Sequence, residues 1–469
     1  MGIVESLRFF VPELVLLAGA FLVSGADLFL RDKRTIRQLS LLVLIAAALY
    51  CRAPGEPREL FFGMFRLDTF AHFFRYFALA AVGLTILLAS DHTPLKGPYE
   101  GEVYGLFLFM AFALILVAGA NNLLMIFLSI EFVSMVSYLL VGFLKKDARC
   151  KEAALKYLLF GSVSSAFMLY GMSLLYGAAG SLTLPAIGES LLSAPFRPLA
   201  HASVLFFFVG LGFKISMAPF HLWAPDVYEG APTPVTAFLT VAPKALGFAV
   251  FMRVLATVFT PTWAHWGVLL TALSMLTMTL GNVTALSQNN IKRFLAYSSI
   301  AQAGYILMGM AVFSDLGRQS VLVYLLAYLF TNLGAFAVVV LVSERTGSED
   351  LAAYAGLSER SPFAAAALTV FLLSLAGIPP LAGFIGKYYV FAAAIQGKFI
   401  VLTVVAAVNS VIAAYYYFRV IRLMYLVPAS SPALERTPRS LAIALGFTLA
   451  GVLLVGLLPS LFVGWIGPV

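Results

Sequence analysis

The stretch GFKISMAPFHLWAPDVYEGAPTPV, residues 212–235, decides the fold because it interrupts a sequence that is apolar on both sides. A proline inside a helix removes a backbone hydrogen bond and clashes with the preceding turn. This stretch has prolines at four positions, Pro219, Pro225, Pro232 and Pro234. A second stretch, LAGIPPLAGFIGKYY at residues 375–389, is interrupted at Pro379 and Pro380. Each stretch predicts a helix that breaks in its middle.

The sequence around both breaks is too apolar for a water-soluble protein. Of the 469 residues, 61% are hydrophobic and 11% are charged, and the mean hydropathy is +0.96. A soluble domain carries about 25% charged residues. Apolar runs of about 20 residues, the length that crosses a bilayer as a helix, recur along the chain. Segments such as LLVLIAAALY lack the alternation of a transmembrane β-strand. The chain is therefore predicted to be an all-α polytopic membrane protein.

Apolar runs predict about 14 transmembrane helices, two of them interrupted. Because polar connections are only about 15–20 residues long, no soluble domain is expected between them. The predicted spans are 10–30, 37–51, 67–89, 103–119, 122–144, 153–178, 201–228 (interrupted), 232–257, 264–287, 293–313, 319–343, 363–396 (interrupted), 399–426 and 440–464.

The distribution of basic residues predicts the orientation in the membrane. Loops after odd-numbered spans contain most of the 30 lysines and arginines, among them the clusters at residues 31–37, 145–151 and 419–439. Cytoplasmic loops are enriched in these residues. Both termini are therefore predicted on the outer, periplasmic side of a bacterial inner membrane. The same bias explains the isoelectric point near 9.3 without nucleic-acid binding.

The chain is predicted to bind no cofactor or metal of its own. No dinucleotide glycine fingerprint follows a strand, and the two cysteines, Cys51 and Cys150, lie in different predicted loops. The five histidines are scattered without the spacing of metal ligands. His221, in the first break, is a candidate gate for an ion path, and a structural histidine is an equally good interpretation.

Apart from charges assigned to loops and helix ends, five charged residues lie deep inside the predicted spans: Glu131, Lys156, Lys214, Lys244 and Lys387. A lysine at mid-bilayer costs roughly 2.5–3.5 kcal/mol on insertion scales, and such groups usually mark ion pathways or proton relays. The alternative is that a lysine near a helix end extends its ammonium to the interface. That alternative is strongest for Lys156, which lies only a few residues from a basic loop.

Hydroxyl and amide side chains line the helices near these charges. Thr236, Thr240 and Lys244 share one helix face, and Pro243 frees a backbone carbonyl beside them. Such stripes commonly act as hydrogen-bonding glue between membrane helices. Together with the buried lysines, they favour the lining of a hydrated path. Further stripes comprise Thr271, Ser274, Thr277, Thr284 and Gln288, then Ser298, Gln302 and Tyr305, and finally Tyr324, Tyr328 and Asn332.

Paired broken helices in corresponding places point to internal inverted repeats. The breaks fall in the fourth helix of two successive five-helix units, and an odd number of helices inverts one unit relative to the other. The predicted organisation is an N-terminal group of three helices at 1–100, repeats at 101–258 and 259–428, and a last helix at 429–469.

At these residues the sequence resembles the antiporter-like membrane subunits of respiratory complex I. The matching stretches are FKISMAPFHLWAPDVYEGAPTPVTAFLTVAPK, NVTALSQNNIKRFLAYSSIAQAGY and LAGIPPLAGFIGKYYVF, together with a glutamate in the fifth span. The resemblance implies a Glu131–Lys214 ion pair, a central Lys244 and a distal Lys387, linked by water. Lys156 and Lys292 also correspond to family positions and are candidate auxiliary relays.

The resemblance implies a proton-translocating subunit whose partners oxidise NADH and reduce quinone. NAD, flavin, iron–sulfur clusters and quinone are then expected on partner subunits, both membrane-embedded and peripheral. The alternatives are a cation/proton antiporter subunit without redox partners, a transporter of organic solutes, and a scaffold with vestigial lysines. Within the leading hypothesis, Lys244 is the central relay and Lys387 releases the proton outward.

Overall fold

Long apolar helices make up nearly all of the chain in a computed structural model, which describes residues 1–30, 32–52, 55–193, 198–259, 263–429 and 437–466. Arg31, Arg197 and Arg436, which contributed to the charge count, lie outside these ranges. Within the described ranges, 11 helices are long and apolar enough to cross a membrane. The chain is thus an all-α polytopic membrane protein.

In the described residues up to 259, the chain forms eleven α-helices and a short hairpin. In chain order these are α1 (Ile3–Phe9), α2 (Val11–Phe29), α3 (Lys33–Tyr50), β1 (Arg58–Leu60), β2 (Phe65–Leu67), α4 (Thr69–Ala89), α5 (Glu100–Gly119), α6 (Leu123–Val141), α7 (Ala148–Ala179), α8 (Leu184–Ser193), α9 (Pro198–Lys214), α10 (Trp223–Gly230) and α11 (Thr233–Val254).

The second part, described at residues 263–429 and 437–466, continues with helices. They are α12 (Trp263–Ala285), α13 (Ile291–Val312), α14 (Asp315–Thr346), α15 (Leu357–Arg360), α16 (Pro362–Ala376), α17 (Ala382–Gln396), α18 (Ile400–Leu426), α19 (Arg439–Leu457) and α20 (Pro459–Ile466). A π-helical turn at Leu255–Phe259 extends α11, and 3₁₀ turns lie at Thr93–Leu95 and Leu351–Tyr354.

Every one of the fourteen predicted spans has a counterpart. Beyond the 11 long apolar helices, α3 accounts for the second span and begins with basic residues in its first turns. The pairs α9–α10 and α16–α17 account for the two interrupted spans. The predicted breaks are therefore confirmed, and cis peptide bonds occur in them at Ala218–Pro219 and Pro379–Pro380.

Polar residues that precede the apolar runs set where several helices begin. The side chain of Asn122 accepts the Leu124 amide at 2.9 Å at the start of α6. Asp147, Asn290 and Ser314 accept backbone amides in the same way at the starts of α7, α13 and α14. Side-chain oxygens at these positions satisfy amides that have no partner within the helix.

The hairpin formed by β1 and β2 was not predicted from the sequence. Its strands pair in antiparallel register, with Arg58 opposite Leu67. Leu60, Phe65 and Leu67 are buried together with Leu116 of α5. Each strand is only three residues long, so alternation of polar and apolar residues has no length over which to show itself.

The chain divides into two compact units. The first comprises Met1–Ile86, Leu95–Ser216 and Ala242–His265, and the second comprises Leu87–Pro94, Met217–Val241 and Trp266–Val469. In the first unit α7 packs along α9, and α2 packs against α3 and α5. In the second unit α14 packs against α13, α16, α17 and α19. The repeat boundaries at 101–258 and 259–428 remain a prediction.

Burial separates inner helices from those with a lipid-facing side. The hydrophobic spans of α11 and α14 are buried along their whole length, and that of α13 is almost so. By contrast, only about a third of α2 and α18 is buried. A helix surrounded by protein needs no apolar outer face, which allows α11, α13 and α14 to contain the lysine, tyrosine and amide side chains described below.

Candidate functional site

The first candidate charge, Lys214, is the last residue of α9, where the first helix break begins. Its side chain is buried, with 7% of the residue exposed. The Nζ atom donates to Ser134 Oγ of α6 at 2.5 Å and lies 5.3 Å from the ring centre of Phe213. Lys214 therefore has a neutral hydroxyl as its hydrogen-bond acceptor.

The predicted ion pair between Glu131 and Lys214 is not formed. Glu131 Oε1 instead accepts from Ser165 Oγ of α7 at 2.5 Å. Glu131 and Ser134 are three residues apart on α6 and share a face, so Lys214 binds one turn beyond the carboxylate. The two groups act as neighbours, each bound to a serine.

Lys244 lies in the middle of α11, immediately after Pro243, and the helix continues through the proline. All residues of this helix are buried, and Lys244 is 3% exposed. Gly247, one turn further along, is packed against the end of α9. A Cβ atom at Gly247 would lie 3.2 Å from Lys214 Cβ and 2.6 Å from Ile215 Cγ2. The helices that carry Lys214 and Lys244 therefore touch within one turn of both lysines.

Lys387 lies on α17, after the second break, and is 6% exposed. Its Nζ donates to the carbonyl oxygen of Ala376, the last residue of α16, at 2.8 Å. The same atom lies 4.7 Å from the centre of the Tyr305 ring. The break thus exposes a carbonyl at the end of α16, and that carbonyl binds the lysine.

Gly377 makes the second break compatible with the lysine. Its φ of +88° lies in the left-handed region, and its amide closes α16 by bonding to the carbonyls of Leu373 and Ser374. A Cβ atom there would lie 2.7 Å from Cδ of Lys387. Glycine satisfies both the backbone conformation and the space that the lysine side chain occupies.

A buried hydrogen-bond network surrounds the end of α16. Gln302 Nε2 donates to the Leu375 carbonyl and to Tyr417 Oη, both at 3.2 Å. Tyr324 Oη donates to Gln302 Oε1 at 2.5 Å, and Ser298 Oγ lies 2.5 Å from Tyr417 Oη. Ser298, Gln302 and Tyr324 of the predicted stripes therefore belong to one network at the end of α16, the helix end that also binds Lys387.

Several members of this network were missed from the sequence. Asn282 Nδ2 donates to Asn409 Oδ1 at 3.0 Å and to Tyr305 Oη at 3.3 Å, and Tyr416 Oη donates to Asn282 Oδ1 at 2.9 Å. The sequence signal that could have revealed Asn409 and Tyr416 is the presence of an asparagine and three consecutive tyrosines inside the apolar run of α18.

Other hydroxyl stripes serve packing. Ser274 Oγ donates to the Gly304 carbonyl at 2.7 Å, which joins α12 to α13. Thr277 Oγ1 accepts the Ala218 amide of the first break at 3.1 Å. Asn332 Nδ2 donates to Thr240 Oγ1 at 2.6 Å. These contacts match the alternative of hydrogen-bonding glue, and a hydrated lining along these stripes stays a prediction.

The auxiliary candidates occupy different environments. Lys156 was placed among the buried charges, but its side chain is 37% exposed and pairs with Glu152 one turn earlier on α7. Lys292 is buried and is ion-paired with Glu349 at 2.8 Å, and it also donates to the Ala231 carbonyl. His221 is buried in the first break, where its carbonyl accepts the Ala224 amide.

Two buried ion pairs were also missed. Arg75 of α4 is bonded to Glu13 of α2, with 2.8 Å between Nε and Oε1, and both side chains are fully buried. Arg253 at the end of α11 makes two bonds to Asp68, at 3.0 and 3.1 Å. Burial raises the pKa of the Asp68 carboxyl, but the Arg253 guanidinium outweighs this effect and holds the pKa below its usual range.

Fold and site together define a class of protein. The chain is a multi-pass helical membrane protein with two broken helices, and a buried lysine stands next to each break. A third buried lysine follows a proline in a helix that is wholly enclosed by protein. This is the architecture of an antiporter-like membrane subunit.

Comparison with known proteins gives the family. The family described as NADH:quinone oxidoreductase/Mrp antiporter, transmembrane, matches residues 120–413. NADH-quinone oxidoreductase subunit N of Dehalococcoides mccartyi is 42% identical over 96% of each chain. The subunit N of Anaeromyxobacter sp. is 43% identical over 90% of this chain and 88% of its own. The chain belongs to this family of transmembrane subunits.

Solved structures agree with this assignment. A chain of respiratory complex I from Thermus thermophilus with bound aureothin matches with a TM-score of 0.82 and 34% identity, covering 97% of this chain and 98% of that chain. A chain of the Mrp complex from Dietzia sp. matches with a TM-score of 0.82 over 99% of this chain and 96% of that chain. At 19% identity the second likeness shows the fold alone.

Proposed function

We propose that this chain is a proton-translocating membrane subunit of a bacterial NADH–quinone oxidoreductase. The observation that supports the proposal most directly is the burial of Lys214, Lys244 and Lys387, each at most 7% exposed, beside the two helix breaks and the internal proline. NAD, flavin, iron–sulfur clusters and quinone would be bound by partner subunits. This chain would supply the route for protons.

The partners of the buried cations separate candidate relays from structural groups. Lys214 and Lys387 donate to neutral oxygens, a serine hydroxyl and a backbone carbonyl. Arg75, Arg253 and Lys292 are each bonded directly to a carboxylate. A carboxylate stabilises a buried cation much more than a neutral acceptor does. A lysine with a neutral partner can therefore lose and regain its proton at a lower free-energy cost.

The proposed order runs from the Glu131–Lys214 neighbourhood through Lys244 to Lys387. Contact between α9 and α11 at Gly247 supports the first transfer. Transfer from Lys244 to Lys387, with release on the outer side, follows from their order along the chain. The subunit would lie in the bacterial inner membrane with both termini outside, held among other membrane subunits.

Proton translocation by a Lys387→Gln variant tests the proposal. Inside-out membrane vesicles would be supplied with NADH, and proton uptake per NADH oxidised would be measured. The expected result is a lower ratio with the complex intact, because glutamine cannot accept a proton. Lys398→Gln, at an exposed lysine just beyond the same helix, is the matched control. An unchanged ratio in Lys387→Gln would remove this lysine from the route.

A cation/proton antiporter subunit without redox partners is the second candidate, because the Mrp complex shares the fold. Mild purification separates the two functions. Co-migration with flavin and iron–sulfur proteins is expected from the proposal. Co-migration only with small membrane subunits would favour the antiporter.

A further inference from the structure

Tyr305 of α13 places its ring beside the ammonium of Lys387. It is completely buried, and the centre of its ring lies 4.7 Å from Nζ of Lys387. A cation within about 6 Å of a ring centre is attracted to the negative face of the aromatic system. That attraction strengthens when both groups are removed from water, as they are here.

The ring is anchored at its hydroxyl end. Asn282 Nδ2 of α12 donates to Tyr305 Oη at 3.3 Å, and Ser410 Oγ of α18 donates to it at 3.4 Å. Asn282 is itself bonded to Asn409 and Tyr416. Two helices therefore hold the phenol from one side, which leaves the ring little freedom to turn away from the lysine.

The end of α16 offers the ammonium a second stabilising group. The Ala376 carbonyl accepts from Nζ at 2.8 Å, and the last carbonyls of a helix form the negative end of its dipole. The neighbouring Leu375 carbonyl is already occupied by Gln302. The ammonium thus contacts both a carbonyl oxygen and an aromatic face.

We propose that Tyr305 is a positioning residue, which holds protonated Lys387 against the Ala376 carbonyl through the face of its ring. This inference rests on the proposed function, because it assigns Tyr305 a part in proton transfer by Lys387. The ring, and not the phenol hydroxyl, is the group that acts on the lysine. The hydroxyl serves to fix the ring.

Replacement of Tyr305 separates the ring from the hydroxyl. In Tyr305→Phe the ring remains, and proton translocation per NADH is expected to stay within about twofold of the unmodified protein. In Tyr305→Leu the ring is lost, and a fall on the order of tenfold is expected. Phe336→Leu, which removes a completely buried ring of α14 that belongs to neither hydrogen-bond network, is the control. Equal loss in the Phe and Leu variants would overturn the inference.

A double-mutant cycle with Lys387→Gln distinguishes positioning from general packing. If Tyr305 acts through the lysine, Tyr305→Leu causes no further loss in the Lys387→Gln background. An additional loss of the same size in that background would show a purely structural role. If Lys387→Gln alone leaves translocation unchanged, the proposed function fails, which is a separate outcome from failure of Tyr305.

Fluorinated phenylalanines at position 305 keep the inference testable if the leucine variant does not assemble. Successive fluorine atoms withdraw negative charge from the ring face and leave the volume of the side chain nearly constant. Translocation should fall stepwise with the number of fluorines. A flat series in an assembled complex would refute the cation–ring contact.

Discussion

Replacing Gly377 with alanine should weaken the hydrogen bond between Lys387 and the Ala376 carbonyl at the end of α16. The residue has a φ of +88°, in a region that costs other residues roughly 1–2 kcal/mol. The new methyl group would lie 2.7 Å from Cδ of Lys387 and 3.4 Å from its Nζ. Both the backbone and the lysine side chain are therefore affected, and the two effects have different consequences.

The Lys387 side chain moves to relieve the steric clash, because it is more flexible than the backbone. Ordinary contact begins near 3.4 Å, so Cδ has to move by about 0.7 Å. If the shift of Cδ is passed on to Nζ, the 2.8 Å bond to the Ala376 carbonyl lengthens beyond the usual range of hydrogen bonds. The expected cost in stability is about 1–2 kcal/mol from the backbone alone. Proton translocation should fall severalfold in addition.

Gly347→Ala is the matched control for the backbone effect. Gly347 ends α14 with a φ of +64°, and a Cβ atom there would meet nothing within 4 Å. Thermal unfolding in detergent should therefore show similar losses for both variants, whereas only Gly377→Ala should lower proton uptake per NADH. Full translocation in Gly377→Ala, or an equal loss in Gly347→Ala, would contradict the reasoning.

Two further predictions concern a relay lysine and a structural ion pair. The Lys244→Arg variant should assemble normally but translocate protons poorly, because arginine does not release its proton. Lys292→Arg is the control and should retain translocation, because Lys292 is already paired with Glu349. Full activity of the Lys244 variant would refute its role. Asp68→Asn should destabilise the chain by about 3 kcal/mol above pH 4, because Arg253 loses its carboxylate. Since pairing lowers the Asp68 pKa, this difference should persist in unfolding assays down to pH 4 and shrink only below that. A difference that vanishes between pH 7 and 5 would contradict the assignment.

The positions of the helices could be predicted because each membrane-spanning helix is a long run of consecutive apolar residues. A run of about 20 apolar residues is recognisable without knowledge of its neighbours. The two breaks were equally accessible, since Pro219, Pro379 and Pro380 act on the turn in which they lie. The hairpin at Arg58–Leu67 was missed because its stability comes from packing against Leu116.

The sequence by itself determined a polytopic helical membrane protein, its two broken helices and the burial of Lys214, Lys244 and Lys387. Only the tertiary structure decided which group each charge meets. Lys214 binds Ser134 and not the predicted Glu131, and Lys387 meets Ala376 and Tyr305. Hydropathy and proline act locally, whereas a hydrogen bond depends on how far one helix is shifted and rotated against another. A shift of a single turn, about 5.4 Å, moves a lysine from a carboxylate to a serine on the same helix face.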